Sequence, residues 1–106
     1  MAVKTLTEIR QQLQAGEFEF TRHAFKRAIE RNISDREIIE AGANAIIIED
    51  YPTDKYTPSC LLLGVTIAGR VLHLQVSRIE SELVKIITLY EPNDDEWTDN
   101  YTTRRS

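Results

Sequence analysis

His23 is followed at one-turn intervals by Arg27 and Arg31 in the run Thr21-Arg22-His23-Ala24-Phe25-Lys26-Arg27-Ala28-Ile29-Glu30-Arg31. A 3.6-residue period stacks the three in one stripe, so a titratable imidazole and two fixed cations share a helix face. Such a face suits phosphate. Imidazole can move protons near neutral pH, and guanidinium offers a charged fork matched to phosphate oxygens. The only other histidine, His73, lies far along the chain. Two imidazoles can act as base and acid in metal-free RNA cleavage, one taking the 2′-hydroxyl proton and the other protonating the leaving 5′ oxygen. Arg27, Arg31 or Arg70 could stabilise charge on the phosphorus-bound oxygens, and Tyr90 could donate to the phosphate or stack on a base. Each residue also has a plainer reading. His23 can be a surface or capping histidine, His73 a partly buried one bonded to a carbonyl, and Tyr90 the closing edge of a core.

The elements that must position these groups are legible from caps and periodicity. Thr5 with Glu8 forms a capping box for a first helix carrying Leu6, Ile9 and Leu13, stopped at Gly16. Glu17 to Phe20 reads as a turn, and Thr21 caps a second helix ending near Arg31-Asn32. On this second helix Ala24, Phe25, Ala28 and Ile29 centre opposite the stripe and are expected in the core. Ser34 with Glu37 is another capping box, with Ile33 stapled to Ile38, and predicts a third helix from about Asp35 to Ala41, before Gly42. Four strands then follow, at about 45–50, 60–67, 70–78 and 83–90, with a turn-rich Tyr51 to Pro58 loop and a tight Ala68-Gly69 turn. Two-residue alternation puts Leu72, Leu74 and Val76 on one face of the third strand and His73, Gln75 and Ser77 on the other. A favourable register would gather His73, Gln75, Thr88 and Tyr90 into a polar patch. Helices followed by strands indicate an α+β domain, with N-terminal helices packed on one face of a mainly antiparallel four-stranded sheet.

At 106 residues the chain is one domain (1–106), with a core over about 5–92 and a polar extension over 93–106 in which Trp97 and Tyr101 are anchors. The single cysteine, Cys60, sits in an apolar run, which excludes an internal disulfide and fits packing in a reducing compartment. The start, Met1-Ala2-Val3-Lys4-Thr5, lacks a signal-peptide stretch, and no apolar run matches a membrane helix, so a cytoplasmic protein is expected. Thirteen Lys and Arg against seventeen Asp and Glu give a net charge of −4, which argues against strong non-specific nucleic-acid binding. Residues 1–44 balance seven basic with seven acidic groups, whereas 45–106 carry six and ten, so any anion site must be local. No paired spacing suggests a zinc module, no Gly-rich phosphate loop occurs, and no metal or cofactor is expected.

The order Phe20-Thr21-Arg22-His23-Ala24, Arg27, Arg31, Ile33-Ser34, Tyr51-Pro52, Leu63-Gly64, Gly69-Arg70, His73 and Ile87-Thr88-Leu89-Tyr90-Glu91-Pro92 resembles the domain-of-unknown-function family 4258. The resemblance runs from about Phe18 to Pro92. It implies a fold similar to the RelE-like and barnase-like ribonuclease toxins and a place in a type II toxin–antitoxin pair, with RNA as substrate and an antitoxin protein as partner. Carried over residue by residue, it marks His23, Arg27, Arg70, His73 and Tyr90 as catalytic, and Arg22, Lys26 and Arg31 stand beside them as nucleic-acid-binding candidates. The leading expectation is a metal-independent ribonuclease. The alternative is a non-catalytic nucleic-acid or protein-binding module of the same fold. A third reading is a structural domain that homo-oligomerises through an exposed strand edge.

Overall fold

A computed structural model describes residues 3–53 and 57–105. Residues 1 and 2 of the amino-terminal reading, and 54–56 of the Tyr51 to Pro58 loop, lie outside the described residues. Among the described residues the chain forms α1 (Leu6–Gln14), β1 (Phe18–Phe20), α2 (Arg22–Glu30), α3 (Asp35–Ala43), β2 (Ile46–Tyr51), β3 (Ser59–Val65), β4 (Val71–Ser77), β5 (Val84–Tyr90), β6 (Trp97–Thr98) and β7 (Thr103–Arg104). The helix starts follow the expected chemistry. Thr5 and Glu8 close one capping box, Ser34 and Glu37 another, and the Thr21 hydroxyl accepts from the Ala24 N–H. Gly16 stops α1 at φ 77°, a left-handed conformation that costs glycine little.

The fold is α+β, but its main sheet has five strands, in the order β1-β5-β4-β3-β2. The segment expected as a turn contains β1, which pairs parallel to β5 with Phe18 opposite Val84 and Phe20 opposite Ile86. The meander β2 to β5 is antiparallel throughout. On one face Leu62, Leu74 and Leu89, with Cys60, Val76 and Ile86, join Ile9 and Leu13 of α1 and Ile38 of α3 in the buried core.

The third helix runs through Gly42 instead of stopping before it. The reason is packing: a Cβ on Gly42 would sit 2.4 Å from Leu13 Cβ, and one on Gly64 only 2.1 Å from the Ala41 carbonyl oxygen. The two glycines let α3 lie directly against α1 and β3.

The expected core face of α2 is narrower than periodicity suggests. Ala24 and Ala28 are buried, but Phe25 and Ile29 are 56% and 66% exposed. The helix continues beside β5 where β1 ends, tied by Thr21 Oγ1 to the Ile87 carbonyl and by Arg31 Nη1 to the Leu89 carbonyl at 2.7 Å. At the rim of the sheet only the arc pointing inward finds a core, so Phe25 and Ile29 face outward.

The opposite face of the sheet is covered by the carboxy-terminal segment, which folds into the β6–β7 hairpin with Trp97 opposite Arg104. Its turn holds Asp99, Asn100 and Tyr101 at positive φ. Asp and Asn tolerate that region, whereas Tyr101 at φ 68° is strained by about 1 kcal/mol. No described helix is long and apolar enough to cross a membrane.

Candidate functional site

The register that gathers a polar patch is the one adopted: His73 lies opposite Tyr90 and Gln75 opposite Thr88, all on the face away from the core. Here the hairpin meets the sheet. His73 is fully buried between two rings, with Trp97 edge-on at 4.4 Å between centroids and Tyr90 at 5.2 Å. Its Nε2 lies 2.8 Å from the Tyr101 carbonyl oxygen and its Nδ1 3.2 Å from the Tyr90 hydroxyl. A carbonyl can only accept, which assigns the proton to Nε2 and makes Nδ1 the acceptor of the Tyr90 O–H. Burial holds the His73 pKa below its ordinary value, so the ring is neutral. Burial likewise pushes the Tyr90 phenol up.

Beside this packed layer opens a cleft of ≈ 700 Å³ lined by Arg31, Arg70, Arg104, Tyr51, Gln75 and Tyr90, with Glu91 and Glu96 also on its wall. Its cations differ in how far they are neutralised. Arg70 is bonded to Glu91 and Glu37, both at 3.0 Å, and to the carbonyls of Asn32 and Arg31. The Glu37 bond is the main reason its guanidinium holds its proton more tightly than usual. Arg104 grips Glu49 through two nitrogens at 2.9 and 3.1 Å and lies 4.7 Å over the Trp97 ring. The Tyr51 hydroxyl also donates to Glu49. Arg31 differs: one nitrogen serves the Leu89 carbonyl, and no carboxylate pairs with it among the described residues. It is the cleft's uncompensated cation.

The expected stripe on α2 therefore divides. Arg31 reaches the cleft, Arg27 is held by Glu30 at 2.6 Å, and His23 Nε2 lies 3.4 Å from Thr88 Oγ1, one strand pairing away from Gln75 in the cleft wall. Arg70 and Tyr90 line the cleft, whereas His73 lies beneath it. Neither imidazole contacts the other. Arg22 and Lys26 project from the other flank of α2 and do not line the cleft.

Sequence reasoning missed Tyr51, Arg104 and the carboxylates Glu49 and Glu96. Arg104 stands in a segment read as a polar extension, and the available signal was its Trp97, a large apolar ring in an otherwise acidic stretch. Among the described residues no group of three or more His, Cys, Asp or Glu is placed to hold a metal ion.

The family model described as Domain of unknown function (DUF4258) matches residues 20–91, and the chain belongs to that family. The matched span takes in α2, β2 to β5 and every cleft residue up to Glu91. Neither the curated proteins nor the solved structures hold a match to the chain.

Proposed function

We propose that this domain is a RelE-like, cytoplasmic ribonuclease of the type II toxin–antitoxin kind, which binds single-stranded RNA across the sheet-face cleft and cuts it without metal. The observation that carries the reading is Arg31, an uncompensated guanidinium in a cleft walled by two tyrosines and an amide. Arg31 and Arg70 hold the phosphate, and a Tyr90 ring face offers a base a stacking surface. His23, exposed at the border of the site, takes the 2′-hydroxyl proton as the 2′ oxygen attacks phosphorus, the bond from phosphorus to the 5′ oxygen breaks, and that oxygen leaves with a proton taken from water. His73 serves as a positioning residue, because its bond to the Tyr90 hydroxyl fixes that phenol against the cleft. The near balance of charge in the cleft suits one or two phosphates and agrees with a chain of net charge −4.

The test is incubation of the purified chain with single-stranded RNA in EDTA. Fragments ending in 2′,3′-cyclic phosphate are expected, with His23→Ala lowering the rate by about 10²-fold or more. A second reading, a non-catalytic RNA-binding module, is favoured by one observation: both His73 nitrogens and most Arg70 donors are already engaged. Salt-sensitive binding that Arg31→Ala weakens, with RNA left at full length, would select the module. Absence of both binding and cleavage would remove both readings.

A further inference from the structure

Arg31, Arg70 and Arg104 line the sheet-face cleft together with the carboxylates Glu91 and Glu96. Arg70 pairs with Glu91 and Glu37, and Arg104 with Glu49. Two opposite charges are left over. Among the described residues neither Arg31 nor Glu96 has an ion-pair partner, and they do not pair with each other. Glu96 is nevertheless held in place. Asn93 Nδ2 donates to its Oε1 at 3.0 Å, and Asn93 Oδ1 accepts from the backbone N–H groups of Asp95 and Glu96, which leaves Oε2 without a donor among the described residues. Tyr90 connects the two charges: Arg31 is bonded to the carbonyl of the preceding Leu89, and Glu96 is one of the charges that, after burial, push the Tyr90 phenol up. The Tyr90 O–H is spent on His73 Nδ1, so its oxygen offers only lone pairs.

A ligand that satisfies this cleft must bring an anion to Arg31 and a hydrogen-bond donor to Glu96. A bare phosphate supplies the first and is repelled by the second. A nucleotide whose base carries an exocyclic amine supplies both, and a cleft of ≈ 700 Å³ takes a whole nucleotide. We propose that Glu96 is a specificity-determining residue, accepting from the exocyclic amine of a base whose phosphate is held by Arg31, so that cytosine and adenine are taken in preference to uracil and hypoxanthine. The inference rests on the reading of the cleft as an RNA site. Its chemistry is that of acceptor against acceptor: a carboxylate receives the amine of cytosine, whereas uracil sets a carbonyl oxygen in the same place and leaves the carboxylate unanswered. Glu91 cannot share the task, because Arg70 holds it. Glu96 also lies beyond residues 20–91, so the selectivity belongs to the carboxy-terminal segment and not to the family-matched span.

The test is fluorescence anisotropy of the full chain with labelled 2′-O-methyl RNA tetramers of cytidine, uridine, adenosine and inosine. The blocked 2′ oxygen cannot attack, so binding is read without cleavage. Within each pair, cytidine with uridine and adenosine with inosine, the bases differ by exchange of the amine for a carbonyl and a proton on the ring nitrogen beside it. The amine-bearing member is expected to bind about tenfold tighter in both pairs. Glu96→Gln, whose amide accepts and donates, should bring the members of each pair together, and Arg31→Ala should weaken all four tetramers alike. Glu96 is exposed, and circular dichroism checks that the variants keep the fold. Equal affinity within the wild-type pairs, or a preference that Glu96→Gln leaves intact, would overturn the proposal while binding that needs Arg31 upholds the RNA reading. Binding that Arg31→Ala does not weaken, or no binding of any tetramer, would overturn that reading and the proposal with it.

Discussion

Acidification should weaken this fold through His73, whose burial disfavours the imidazolium. The ring is buried, its Nε2 proton is on the Tyr101 carbonyl, and its Nδ1 accepts from Tyr90, so a second proton would set two donors against each other. Of the charged groups around it, Glu49 favours protonation and Arg104 opposes it, and desolvation outweighs both in lowering the pKa. A folded-state pKa below the unfolded one means that the unfolded chain binds more protons. His73 therefore contributes stability that is present at and above its ordinary 6.5 and is lost as the pH falls below it. Taking the pH from 6.5 to 5.5 costs at most RT ln(11/2), about 1.0 kcal/mol, the limit for a ring that takes up no proton in the folded state. With a urea slope of about 2 kcal/mol/M, that moves the unfolding midpoint by about 0.5 M. Urea titrations at the two pH values measure it, and His73→Gln, which cannot titrate, should flatten the difference. NMR of the imidazole gives the direct check. A His73 midpoint at or above 6.5, or stability that rises on acidification, would refute the buried neutral assignment.

Three further outcomes are expected. Glu37→Ala removes the acceptor that caps α3 at Ser34 and anchors Arg70, and should cost about 1–2 kcal/mol in thermal unfolding. Because the Ser34 backbone bond lowers the Glu37 pKa first of all, that stabilisation should be present above the ordinary 4.5 and be lost as the pH falls through the lowered folded value. Gly64→Ala drives a methyl into the Ala41 carbonyl and should cost about 3 kcal/mol, whereas Gly69→Ala, with open space around it but φ 90°, should cost about 1 kcal/mol; denaturant titration of both variants checks the difference. Cys60 is buried, with its pKa pushed up to about 11, and a thiol reagent at pH 8 should label it only at the rate of unfolding.

Local chemistry carried much of this architecture into the sequence. Thr5 with Glu8 and Ser34 with Glu37 announce helix starts because side chain and backbone satisfy each other within a single turn. The face shared by His73, Gln75, Thr88 and Tyr90 follows from two-residue alternation, once the antiparallel register pairs them. What escaped depends on distant partners. Phe18–Phe20 is too short to show alternation, and it becomes a strand only because Val84 to Ile86 lies beside it. Phe25 and Ile29 have core spacing, but their helix sits at the rim of the sheet. Gly42 resembles a helix stop, yet its purpose is set by Leu13 on another helix. The cover over His73 is held by Trp97, the Tyr101 carbonyl and the grip of Arg104 on Glu49, contacts that no spacing within 93–105 encodes.

The pairing of β1 with β5, the last strand of the main sheet along the chain, also governs the order in which the molecule can assemble during synthesis. Phe20 meets Ile86, and the Thr21 hydroxyl meets the Ile87 carbonyl, across 66 positions of chain. Until that late strand leaves the ribosome, α2 lacks its main support in the sheet and has only β1 beside it. The early helices must wait, part-formed, with Phe18, Phe20 and Phe25 available to bystander proteins or to a chaperone. Stalling translation before Val84 should therefore leave a sticky nascent chain, and release of a few more residues should let it close.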